Sequence, residues 1–298
     1  MTEHKGEIKG IKKPTKIKFS GWKKIVLSVK DQIAEDKVSI VSAGVAFYAF
    51  LAVFPAIMAL ISIYGLAVDP QQIQGQLAEL SSMMPQQAYE ILQAQVESFL
   101  ATPGEALGWS TAIGILLSLW SANKGTKSLF IGVDIAYGIQ TERGFIKENA
   151  LTLLFTFGAV ILVILSMAFI VAFPALVDQI GFPGSVKTLI SWARWLLLAL
   201  IVVFFLALVY RHAPPRKTPA FKWVLPGAIL STVLWLIASW GFSYYVSKFG
   251  SYGEVYGSIS AIVVLLMWLF LTSFIILLGA ELNSETENYI RHNTKGKK

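Results

Sequence analysis

The chain has no cysteine, three histidines and few charges: only 14% of its 298 residues are Asp, Glu, Lys or Arg, against about 25% in an average globular domain. Each shortage excludes something. Without Cys there are no disulfides, thiolate metal sites or cysteine nucleophiles, and no redox chemistry is implied. His4, His212 and His292 are far apart and none belongs to an HExxH or similar spacing, so neither metal nor cofactor is implied. The nearest approach to a phosphate-cradling GxxxxGK(S/T) loop, Asn123 to Ser128, lacks the leading Gly.

What is present is apolar chain. Hydrophobic residues make up 55%, and six long runs stand out: Ile40 to Val68, Gly108 to Ala122, Ala150 to Val177, Leu189 to Tyr210, Trp223 to Val246, and Ser258 to Leu282. Most exceed the roughly 20 residues a helix needs to cross a bilayer. The second is short, and its helix is expected to continue past the membrane surface. The reading is an all-α, polytopic membrane bundle of six spans. Residues 1–37 form a basic cytoplasmic tail and amphipathic helix, 38–284 the membrane domain, and 285–298 a second basic tail. Since the first long run begins only at Ile40, it is expected to be kept as an anchor rather than cleaved as a signal.

The net charge of +7 follows the spans. Ten Lys and Arg lie between Lys5 and Lys37, four between Lys124 and Lys147, four between Arg211 and Lys222, and four between Arg291 and Lys298. Cytoplasmic loops are enriched in these residues, so both termini and the second and fourth loops are placed inside. The outer loop 69–107 carries acids without a single Lys or Arg. Its apolar spacing around Pro85 predicts two short amphipathic helices, either lying on the outer leaflet or capping a cavity. From Ser20 to Lys37, Trp22, Ile25, Val26, Val29 and Ile33 recur at helical spacing beside Lys23, Lys24 and Lys30. That helix suits the membrane interface, or equally packing on cytoplasmic loops.

Pro55 and Pro174 are expected to bend their helices, and pairs of small residues such as Gly227 with Ser231 suit close helix contact in lipid. Two polar clusters need explaining. Glu281 and Asn283 close the last run, with Arg211 and Arg216 at the same predicted face. Glu281 is either solvated at a helix end or buried, and a buried carboxylate should meet a cation or a water-filled cavity. The second cluster, Asn123, Lys124, Asp134, Tyr137 and Arg143, combines both charge signs at the membrane face. It suits an anionic headgroup, while inside-positive charge and local pairing explain the same residues. None of these residues has the spacing of a catalytic constellation.

Several passages together resemble the YihY/BrkB family of bacterial inner-membrane proteins, once widely labelled ribonuclease BN: Ala43-Gly44-Val45-Ala46-Phe47-Tyr48 with Phe54-Pro55, Trp120-Ser121-Ala122, Tyr210-Arg211 with Ala213-Pro214, Pro226-Gly227-Ala228, Tyr256-Gly257-Ser258, and Leu278-Gly279-Ala280-Glu281-Leu282-Asn283. Where relatives often carry Leu-Asn before a hydrophobic residue and Tyr, this chain has Asp134-Ile135-Ala136-Tyr137, so any role of that Asn is not carried over. The resemblance implies six spans, a bacterial cytoplasmic membrane, and links to serum resistance and to lipid or lipopolysaccharide export. Taken with the basic inner loops and Glu281, it leads to transport or flipping of an anionic lipid or lipid-linked envelope precursor. The alternative is a non-catalytic scaffold for envelope assembly, docking other envelope proteins. Ribonuclease activity comes third and is disfavoured, and no nucleic-acid partner is expected, because topology accounts for the positive charge. The sequence carries no signal for oligomeric state.

Overall fold

The computed structural model describes residues 14, 17–67, 93–94, 97, 104–139, 143–167, 169–170, 173, 177, 183–248 and 258–295. Among these, every regular element of length is helical: α1 (Phe19–Glu35), α2 (Val38–Ala67), α3 (Gly104–Ala136), α4 (Phe145–Met167), α5 (Gly184–His212), α6 (Phe221–Lys248) and α7 (Ser258–Lys295). Six of them coincide with the six apolar runs. As expected, α3 continues well past Ala122. The last helix also runs on, to Lys295, with Thr286 and Ile290 buried. The helical assignment of α2 passes through Pro55, whose side chain lies outside the described residues, as do Pro174 and most of the outer loop.

By length and hydropathy, stretches within α4, α5, α6 and α7 can each cross a membrane, and α1 with the first part of α2 passes the same test as a pair bent by 65°. These helices expose their apolar side chains. In the most apolar window of the stretches in α4 and α7, only 17% of residues are buried. Leu154 and Ile161 on α4 and Leu189, Leu196 and Leu200 on α5 stand more than half exposed. Water does not tolerate so large an apolar surface, and lipid does. Buried hydroxyls meet the same constraint locally: Ser42, Thr156, Thr232 and Thr286 each donate to the carbonyl four residues back, so none carries an unpaired polar group into the interior.

The chain divides into two units, one of residues 1–42, 129–237 and 272–298, the other of 43–128 and 238–271. In the second, Gly125 of α3 lies against the backbone of α2 at Tyr48 and Ala49, and Phe242 of α6 packs on Trp268 of α7 with ring centres 5.2 Å apart. In the first, Phe130 and Val133 of α3, Phe155 of α4, Leu206 and Val209 of α5, Val224 of α6 and Leu277 of α7 form the core. A second cluster joins Ile25 and Val29 of α1 to Trp223 of α6 and to Leu282 and Ile290 of α7. One face of α1 is therefore packed on other helices, while Phe19, Val26 and Leu27 remain exposed beside Lys23 and Lys30.

The tightest part of the first unit is where α6 meets α7. Pro226 lies inside α6 and has no N–H, so the helical ladder opens around it. The side chain of Asn283, fully buried on α7, fills that opening: its Oδ1 accepts the Gly227 N–H at 2.8 Å and its Nδ2 donates to the Val224 carbonyl at 3.0 Å. The two bonds require opposite polarities, which fixes the orientation of the amide. Gly227 and Gly279 let the backbones touch. A Cβ on Gly227 would run into the Gly279 carbonyl, and one on Gly279 would meet the Tyr210 hydroxyl at 2.5 Å and the Gly227 carbonyl at 2.7 Å. Tyr210 of α5 completes the node, with its hydroxyl donating to the Ile276 carbonyl at 2.7 Å and paired with Ser231, which donates to the Ile275 carbonyl.

Gly227→Ala and Gly279→Ala should therefore lower the thermal midpoint and folded yield in detergent, by an overpacking cost of about 1–3 kcal/mol or more. Gly44→Ala, where nothing lies within 4 Å of the added carbon, should be neutral. Equal midpoints for all three variants would contradict the close approach.

Candidate functional site

Helix α5 ends at Pro214 and Pro215: Ala213 still has helical dihedrals and its N–H reaches the Val209 carbonyl at 2.8 Å, but the two prolines offer no N–H to continue the ladder. The chain then crosses to α6 through residues 213–220. This crossing, with Arg143 and the first turns of α4, encloses a groove of about 770 Å³. Arg143, Lys147, Arg216 and Lys217 line it with His212, and no carboxylate does so among the described residues. Its remaining wall is apolar, chiefly Ala150, Leu151 and Leu154 of α4 with Pro214 and Pro215.

Two of the four cations are held firmly. Arg143 donates to the His212 carbonyl at 2.6 Å, placing its positive charge on the negative end of the α5 dipole. Arg216 makes a bidentate pair with Glu287 of α7, at 2.6 and 2.9 Å, and lies over the Tyr137 ring 4.1 Å from its centre. The planar fork of Arg suits both contacts at once. Lys147 and Lys217 are exposed and unpaired among the described residues, so theirs are the charges a ligand would meet first. The groove is thus a cationic rim over an apolar floor. That combination suits an anionic headgroup with a hydrocarbon tail.

Of the residues singled out in sequence, Arg143, Arg216 and Tyr137 come together here. Arg211 does not line the groove and lies over Phe221, 4.4 Å from the ring centre. Asn123 and Lys124 belong to the other unit, where Lys124 sits over Trp120. Asn283 is buried and bonded to the α6 backbone at both ends of its amide, which gives it a structural task. Glu281 is buried, but the arginines expected as its partners are not: the groups acting on it electrostatically are Asp36 and Glu285. Asp134 is partly buried at the end of α3 with one oxygen unpaired. Burial lifts its carboxyl from 3.8 to about 7, with Arg143 pulling it down and Glu148 pushing it up.

The passages that hold this architecture together span most of the chain, and residues 29–298 match the model of the virulence factor BrkB family. The chain belongs to that family. Among BrkB-like relatives, a putative ribonuclease-like protein, YfkH, of Bacillus subtilis (strain 168) is 29% identical, covering 82% of this chain and 88% of its own. UPF0761 membrane proteins of Xanthomonas axonopodis pv. citri and Xanthomonas oryzae pv. oryzae are each 38% identical over 90 residues, which is 30% of this chain and 21% of theirs. No solved structure matches the chain. BrkB membership establishes a membrane protein with several apolar helices, and by itself no activity.

Sequence reasoning missed Lys147, Lys217 and Glu287 as site residues. The first two stand in the basic loops already counted for topology, and their convergence required two loops separated by a helix hairpin. Glu287 lay in what reads as a tail.

Asp134 makes stability depend on pH. A carboxyl that keeps its proton longer in the folded chain stabilises that state fully below its unfolded value near 3.8, and the contribution is lost as pH rises through about 7. The melting temperature of the wild type should fall across that window, and Asp134→Asn should flatten that fall. An unchanged slope would place the carboxyl in solvent.

Proposed function

We propose that this BrkB-family chain is a bacterial inner-membrane protein that binds and moves an anionic lipid or a lipid-linked envelope precursor, with the groove as its cytoplasmic headgroup site. Six spans, α2 to α7, with both termini inside, put the groove at the cytoplasmic face, because its cations come from the second and fourth loops. Trp192 and Trp195, at the opposite end of α5 and well exposed, suit the outer interface.

The observation that carries this reading is the continuity of the groove with a lipid-facing stripe. Leu154 in the groove is followed on the same face of α4 by Phe157, Ile161 and Ile164, all exposed. A headgroup held by Lys147 and Lys217 leaves its tails on that stripe, in the bilayer throughout. Such a lateral path suits a lipid better than a soluble anion. The ribonuclease-like name of the Bacillus relative finds no counterpart in this reading. The basic residues are accounted for by topology and by the groove, and among the described residues no three His, Asp or Glu are grouped to hold a metal for phosphodiester hydrolysis.

The test is leaflet-to-leaflet movement of a headgroup-labelled anionic lipid in proteoliposomes. Wild type should accelerate it over empty vesicles. The double variant Lys147→Ala/Lys217→Ala, at exposed positions that leave folding intact, should slow it roughly tenfold or more, the loss expected for charge-assisted contacts of about 1.5–3 kcal/mol. Wild-type movement in the double variant would remove the groove from the pathway. No movement by the wild type would favour the scaffold instead.

A further inference from the structure

The polar residue left over by the groove is Glu281. It is 1% exposed, and neither carboxylate oxygen is reached by a donor among the described residues. One turn further along α7, Glu285 is fully provided for, by the Ser28 hydroxyl of α1 and by the Asn288 amide at 2.9 Å. The side chain that does meet Glu281 is Asp36, another carboxyl, in hydrogen-bonding contact with it. Asp36 stands in the short turn between α1 and α2, where Lys37 takes a left-handed backbone with φ 52° and the two helices bend by 65°. It is only partly buried.

Two carboxylates offer acceptors only, so contact between them becomes a hydrogen bond when one holds a proton and a repulsion when neither does. Among the described residues no cation acts on the pair to relieve that repulsion. The other charges acting on the pair are Glu35 and Glu285, both acidic. Lys24 and His292 line a groove of about 330 Å³ on the side of Glu285 and do not act on Glu281. From α6, Gly227 and Ser231 face this part of α7 and neither titrates; from α5, the Tyr210 hydroxyl is committed to Ser231 and the Ile276 carbonyl. Two carboxyl groups also fall short of the six to eight oxygens a hard cation such as Ca²⁺ takes.

We propose that Asp36 and Glu281 together bind one exchangeable proton, which enters through the partly exposed Asp36 and is held between the two carboxyls. Burial raises the Asp36 carboxyl above its usual range, and the bond from Glu281 opposes that rise, as expected if Asp36 is the acceptor. Occupancy has a mechanical consequence. With the proton bound, α1 is tied to α7 at the bend; without it, two negative charges face one another there and push the α1–α2 turn away. This site stands independently of lipid movement.

The test is an infrared pH titration of the full chain in nanodiscs of neutral phosphatidylcholine, in potassium and again in sodium, with Asp134→Asn in every sample to remove the other carboxyl that burial raises. With Asp36 and Glu281 intact, this chain should show a protonated-carboxyl band that persists at neutral pH, shifts in D₂O and is indifferent to sodium. Glu281→Gln, a neutral isostere, should lose the band, and Asp36→Asn should shift it. Should Glu281→Gln fail to fold, Asp36→Asn at its partly exposed position carries the test. A band unchanged in either variant overturns the shared proton, and a band abolished by sodium at constant pH overturns it in favour of a metal cation.

Discussion

The contact between α6 and α7 is the constraint on which the rest of the first unit depends. A proline inside a membrane helix leaves backbone groups without partners, and in lipid no water replaces them. Beside that proline Asn283 of the neighbouring helix adds polar contacts to the α6 backbone, accepting the Gly227 N–H and donating to the Val224 carbonyl. It reaches them only because Gly227 and Gly279 bring the two backbones together. The same approach sets the depth at which Tyr210 crosses to Ser231 and Ile276, and so fixes α5 against the pair. The residues after α5, which wall the groove, inherit their position from that anchor.

This bears on what the family's motifs mean. Pro226-Gly227-Ala228, Tyr210 and the Gly279 to Asn283 segment carry much of the resemblance to the BrkB family, and here they pack helix on helix. Asn283 is fully buried, with one bond to α6 at each end of its amide. Glu281 alone in that segment is buried without serving the packing. A residue so costly to bury and so poorly matched to its surroundings marks a site rather than a strut.

Charge is distributed with the same economy. Arg143 and Arg216 spend their charge internally, on the end of α5 and on Glu287, and thereby shape the crossing between α5 and α6. Lys147 and Lys217 project from that rigid frame. Fixed arginines with lysines unpaired among the described residues, over an apolar wall, suit negative charge without prescribing one geometry, since an ammonium is a point charge with no preferred fork.

The sequence by itself determined the helical class, the positions of the long helices and the membrane as solvent, because each of these follows from local composition: a run of some twenty apolar residues has no other stable environment. It also marked Gly227 and Ser231 as a close-packing pair and Glu281 as a residue needing explanation. Only the tertiary structure decided partners. Arg216 chose Glu287 over Glu281, Asn283 turned to the opening beside Pro226, and Asp36 met Glu281 across some 245 positions of chain. The physical reason is that helix periodicity specifies which face a side chain occupies and leaves open which helix lies opposite. That choice was made by steric fit at two glycines and by the pairing of the Asn283 amide with the α6 backbone on either side of one proline.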